Sequence, residues 1–67
     1  MRFTPRDIEM VTYLAEGMDT QEMATAMKHT WSTAQTYRTR LLKKHHARSA
    51  AHLVSMAYQR KILTIKP

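Results

Sequence analysis

Between Trp31 and His45 the chain sets bases among short hydrogen-bonding side chains, a mixture suited to reading a polyanion. Arg38, Arg40, Lys43 and Lys44 carry charge that can reach phosphates, while Gln35, Thr36 and Thr39 are short enough to approach base edges. Gln35, Thr39 and Lys43 recur at i, i+4 and i+8, along one stripe of a helix. No acid stands three or four residues from any of the four bases, which favours phosphate binding over a merely solvated face. Tyr37 reads as a core ring whose hydroxyl reaches the surface, within range of a phosphate. Trp31, in the first turn of the same helix, reads as a cap on the core in preference to a contact with a nucleic-acid backbone.

Other chemistries find no footing. With no cysteine there is no disulfide framework, thiolate zinc site or cysteine nucleophile. The single glycine, Gly17, excludes a glycine-rich phosphate loop. Ser32, Ser49 and Ser55 are explained by caps or helix faces, and no carboxylate pair lies in the basic half, so no enzyme is expected. His45 and His46 point about 100° apart on a helix, and His29 and His52 are distant in sequence, so neither a metal nor another cofactor is expected. The six methionines fall at helical spacing and read as core filler.

The net charge of +6 is unevenly spread. All five acids lie in the first 22 residues, and the stretch through Met27 carries −3; from Lys28 to Pro67 there are nine bases and no acid. Such asymmetry points to nucleic acid or an anionic membrane surface. Short, well-capped helices predict a globule and so favour nucleic acid. At 67 residues and 43% hydrophobic, the chain forms one domain, residues 1–67. Its apolar runs are too short for a bilayer span or a signal peptide, so it reads as a small cytoplasmic protein that is complete from Met1.

Four helices must position these residues. Thr4, Pro5 and Asp7 supply an N-cap, a proline at N1 and an acid at N3, with Phe3 and Ile8 as a hydrophobic staple. The first helix is expected over about 5–16, with Met10, Val11, Leu14 and Ala15 inward and Gly17 as its stop. Asp19 and Glu22 form a capping box and Met18 and Met23 a staple for a second helix, 20–27, burying Met23, Ala24 and Met27. Lys28-His29-Thr30 connects to a third, 31–45, with Ala34, Tyr37, Leu41 and Leu42 inward, and Ala24 and Ala34 allowing a close crossing. Ser49 caps a fourth, 50–61, which is apolar on more than one face. Leu53, Met56, Ala57 and Tyr58 are its candidates for a seam with a second copy, not separable from core positions by periodicity. The β-branched tail from Ile62 to Ile65 is too short to form a strand of consequence. A short helix, a tight turn and a longer basic helix make a helix-turn-helix, whose second helix fits the major groove of double-stranded DNA.

Over Phe3 to about Leu63 the sequence resembles, without a gap, the LuxR/GerE-type helix-turn-helix DNA-binding domains of bacterial transcription regulators. Phe3-Thr4-Pro5-Arg6-Asp7-Ile8-Glu9 is similar to the family's opening L-T-x-R-E-x-E, and Leu14-Ala15-Glu16-Gly17-Met18 to its L-A-x-G-hydrophobic turn. Gln21-Glu22-Met23-Ala24 with Met27 matches K-E-I-A-x-x-L. Thr33-Ala34-Gln35 sits on the T-V-K that opens the recognition helix, and Leu41-Leu42-Lys43-Lys44 on its I-L-x-K end. The resemblance implies an all-α four-helix fold, base-facing positions for Gln35, Thr36 and Thr39, and phosphate contacts from Thr33 and the bases of the third helix. It also implies a homodimer through the fourth helix. No receiver or small-molecule-binding domain accompanies the motif, as in the single-domain members, which suits a bacterial host, a phage or a plasmid. His45-His46 replace the usual Leu-Gly; if His45 takes the buried position, protonating it costs stability. The competing expectation is a small module that docks on RNA polymerase or a larger regulator.

Overall fold

The computed structural model describes residues 2–64. Four helices follow one another: α1 (Pro5–Ala15), α2 (Thr20–Met27), α3 (Trp31–Lys44) and α4 (Ala50–Gln59). Each begins where a side chain satisfies amides that the first turn leaves without partners. Thr4 Oγ1 accepts from the Asp7 N–H at 3.1 Å, and Asp7 Oδ2 accepts from the Thr4 N–H at 3.1 Å, a reciprocal capping box. Asp19 and Glu22 repeat it for α2 at 2.8 and 3.0 Å. Thr30 caps α3 through the Thr33 N–H, and Ser49 caps α4 through the His52 N–H.

All four helices end in one way, with a left-handed residue and a backbone bond reaching back five positions. Gly17 takes φ +83°, and the Met18 N–H donates to the Tyr13 carbonyl at 3.1 Å. Lys28, His46 and Lys61 do the same at φ 60°, 56° and 60°. The matching bonds run from His29 to Ala24, Ala47 to Leu42 and Ile62 to Ala57, each 2.9 Å. These turns end α1, α3 and α4 one or two residues before the expected 16, 45 and 61. The last one folds Ile62 and Leu63 back onto the core, so the tail is a lid on it. Thr64 is exposed, and Ile65 and the base at Lys66 lie outside the described residues.

α2 packs on α3 and α1 on α4 around Met10, Val11, Met23, Ala24, Ala34, Leu41, Leu53 and Ala57. Burying each of the larger side chains contributes about 1.5–3 kcal/mol. Ala24 and Ala34 are both fully enclosed, and their small side chains let α2 and α3 approach closely, as expected. Four expectations are corrected. Ala15 is exposed. Ile8 is exposed too, while the Phe3 ring stacks on His45 with centroids 4.0 Å apart, so the first staple is replaced by an aromatic pair. Trp31 stands 51% exposed and caps no core. Leu53 and Ala57 are wholly buried within one chain, so neither belongs to a seam with a second copy. Met56 is half-buried and Tyr58 exposed; two positions apart on a helix, they point about 160° apart and share no face. Among the described residues no helix is long and apolar enough to cross a membrane.

Candidate nucleic-acid interface

The 3.6-residue period divides the surface of α3 into three strips. The outermost carries Ser32, Thr36, Thr39 and Lys43, all exposed. The strip on the α2 side carries Trp31, Gln35 and Arg38. There the Thr20 hydroxyl of α2 donates to Gln35 Oε1 at 3.1 Å. The strip on the α1 side carries Thr33, Tyr37, Arg40 and Lys44. The Arg6 guanidinium of α1 lies over the Tyr37 ring, 5.3 Å from its centroid, and His29 meets the same ring edge-on at 5.5 Å.

The nine residues expected to bind DNA therefore separate. Thr36, Thr39 and Lys43 come together on the outermost strip. Arg40 is exposed on its α1 flank, with Tyr37 half-buried below and Thr33 half-buried nearer the helix start. Gln35 leans toward α2 and is half-buried, so the stripe drawn through it shifts one residue, to Thr36. Arg38 points about 100° away from Thr39 and is half-buried, away from the outermost strip. Lys44 is half-buried and turned toward α1, where its Nζ donates to Asp7 Oδ2 at 2.6 Å.

Asp7 organises that corner. Its carboxylate also accepts from the Thr4 N–H and faces His45 Nε2 at 3.3 Å. Burial pushes the carboxyl up, but the Lys44 ammonium, the Thr4 amide, the His45 ring and the Thr4 hydroxyl together outweigh it and hold it below its ordinary value. The side chain of His45 is wholly enclosed, with Nδ1 finding no partner among the described residues. His45 takes the buried position, with the Asp7 carboxylate as its partner. The cluster fastens the start of α1 to the end of α3.

Sequence reasoning missed four contributors. Ser32 was recoverable, because it stands at i−4 from Thr36. Trp31, expected to cap the core, is exposed. Arg6 and Thr20 reach α3 only through tertiary packing, which leaves no local signal.

A short capped helix, a left-handed turn at Lys28 and a longer helix with an acid-free outer strip define a helix-turn-helix nucleic-acid-binding domain. The family model GerE, the bacterial regulatory proteins of the luxR family, matches residues 1–57, and the chain belongs to this family. Its class is thus that of DNA-binding domains of transcription regulation. No curated protein and no solved structure matches it.

Proposed function

We propose that this chain reads duplex DNA sequence-specifically, with α3 in the major groove, and regulates transcription as a pair of copies joined through α4. The observation that carries this reading is the outermost strip of α3: three hydroxyls and Lys43 in a row, flanked by Arg40, with no acid anywhere from Lys28 onward. Ser32, Thr36 and Thr39 approach base edges, and Lys43 reaches a guanine or a phosphate. Arg40, Thr33 and the Tyr37 hydroxyl hold the backbone, and Arg38 reaches it past the α2 side. Gln35 has its oxygen engaged by Thr20, so it offers amide hydrogens, which match acceptors such as guanine O6 and N7 or thymine O4. Trp31, exposed beside it, packs on a thymine methyl or a deoxyribose.

A salt titration tests this on random duplexes and on a duplex selected from genomic fragments, followed by anisotropy of the labelled DNA. Arg40→Ala is expected to weaken binding to both alike and to lower the slope of log K against log salt by about one unit. Thr39→Ala is expected to cost about 1–3 kcal/mol on the selected duplex alone. Absence of binding at low salt would overturn the proposal and leave the module that docks on polymerase or on a larger regulator.

The second copy follows from information content. One recognition helix reads few base pairs against a genome of competing sites, and pairing doubles what is read. The outward side of α4 presents Ala51, Ser55 and Tyr58 at i, i+4 and i+7, all exposed, with half-buried Val54 at the edge.

A further inference from the structure

We propose that Arg6 and Arg40, with Tyr37 between them, form a notch that binds one phosphodiester of the DNA backbone across the α1–α3 junction. The proposal rests on the duplex-binding reading above and adds a contact from outside the helix-turn-helix. Arg6 belongs to the acidic stretch of the sequence, where its charge looks cancelled by neighbours. Folding removes it from that setting and lays its guanidinium against the Tyr37 ring at 5.3 Å, within cation–π range. Its ion pair with Glu9 is exposed, 3.7 Å long and made through Nε. Such a pair contributes little, and it leaves the forked terminal nitrogens for another anion.

Arg6 and Arg40 line one notch of about 110 Å³, floored by Met10 and Leu41. That is room for three or four waters at roughly 30 Å³ each, the scale of a single phosphate group. The third base at its edge, Lys44, is paired with Asp7 at 2.6 Å. The charge left to meet an anion is thus supplied by two arginines on two helices, Arg40 and the terminal nitrogens of Arg6, whose exposed pair with Glu9 is made through Nε. The apolar floor lowers the local dielectric and strengthens attraction to an anion. A guanidinium held over a ring loses less freedom on binding than a solvated one, and its fork suits two phosphate oxygens. Because the arginines come from different helices, one phosphate held between them fixes the angle of α3 in the groove.

The test is the salt slope, which counts the phosphates neutralised. Arg6→Gln keeps the stem and removes the charge; thermal unfolding should match the parent, since Arg6 is exposed. It should weaken random and selected duplexes alike and lower the slope by about one unit. The Arg6→Gln/Arg40→Gln double variant should lose no more slope than either single one, because the two share a phosphate. Arg6→Lys, which keeps charge without the fork, should recover part of the loss. An unchanged slope in Arg6→Gln, while the parent binds, would overturn the notch and leave the proposed function standing. A loss of two units in the double variant would also overturn it, by assigning the arginines to separate phosphates. A parent protein that binds no duplex would instead remove the proposed function and this site together. Inorganic phosphate, titrated into the free protein and followed through the Arg6 Nε–H resonance, separates the sources. A saturable shift with an unchanged duplex slope would assign the notch to free phosphate and overturn the backbone contact.

Discussion

Asp7 decides what the base at the end of α3 does. A solvated Lys44 would add free charge to that of Arg40 and Lys43 on α3, but Asp7 holds it at 2.6 Å and also bonds the Thr4 amide. Its carboxyl sits below its ordinary value when folded, so the folded state binds that proton less tightly than the unfolded one. The resulting stability is fully present above the unfolded value of 3.8 and is lost as pH falls through the folded one. Thermal midpoints should therefore hold from neutrality into mild acid and drop as pH falls through the carboxylate range. Asp7→Asn should weaken that drop and destabilise the domain by about 1–3 kcal/mol at pH 7, through the lost charged bonds and cap. An Asp7→Asn variant with the parent's midpoint and acid response would show that Lys44 and His45 gain nothing from this carboxylate. The stripe read along α3 ran through Gln35 where the structure has Thr36. Thr39 and Lys43 were legible in the sequence because helical period alone places them together. The roles of Lys44, Gln35 and Arg6 were not, since each is set by a partner on another helix.

At the scale of elements, all four starts were legible, and so were the ends of α1 at Gly17 and of α2 at Met27; the ends of α3 and α4 were not. Helix starts are written in side chains: Thr4, Asp19, Thr30 and Ser49 each cap where their chemistry predicts. The four ends share one left-handed turn, yet only Gly17 advertises it; Lys28, His46 and Lys61 adopt it against their own preference. A non-glycine residue in that region costs about 1 kcal/mol or more, accepted because the turn satisfies the final carbonyls and returns Ala47 and Ile62 to the core. His46 is exposed and makes no side-chain bond among the described residues. His46→Gly should therefore stabilise by about 1 kcal/mol, a rise of roughly 4–8 °C in Tm for a domain of this size. A calorimetric Tm at or below the parent's would mean that His46 contributes contacts outweighing its backbone strain. The same economy explains the core: Leu53 and Ala57 are too few residues from Met56 and Tyr58 for periodicity to divide inside from outside without the neighbouring helices.

For the whole molecule, the question is how a domain of 67 residues gathers enough contacts to pick a site. Its own core consumes Leu53 and Ala57, so the proposed pairing surface is narrow, with Tyr58 its one large side chain, 37% exposed. A face of that size falls well short of the roughly 800 Å² per partner of stable interfaces, so free chains should be largely monomeric. DNA changes that arithmetic by holding two chains side by side, where effective concentration makes a weak seam sufficient. In the proposed pair, a two-fold axis through α4 would set the α3 helices in successive major grooves, with half-sites about 10–10.5 base pairs apart. Inserting five base pairs between half-sites should turn the second site to the opposite side of the duplex and remove cooperativity in the parent protein. Tyr58→Glu sets two like charges against each other across the seam; it should keep the helical spectrum and bind an isolated half-site as the parent does, yet fill the full operator without cooperativity. Cooperative filling by Tyr58→Glu with the parent's binding curve would place the pairing surface elsewhere. Equal affinity of the parent for one half-site and for two would leave a monomeric reader, whose selectivity must then come from α3 and its flanking phosphates alone.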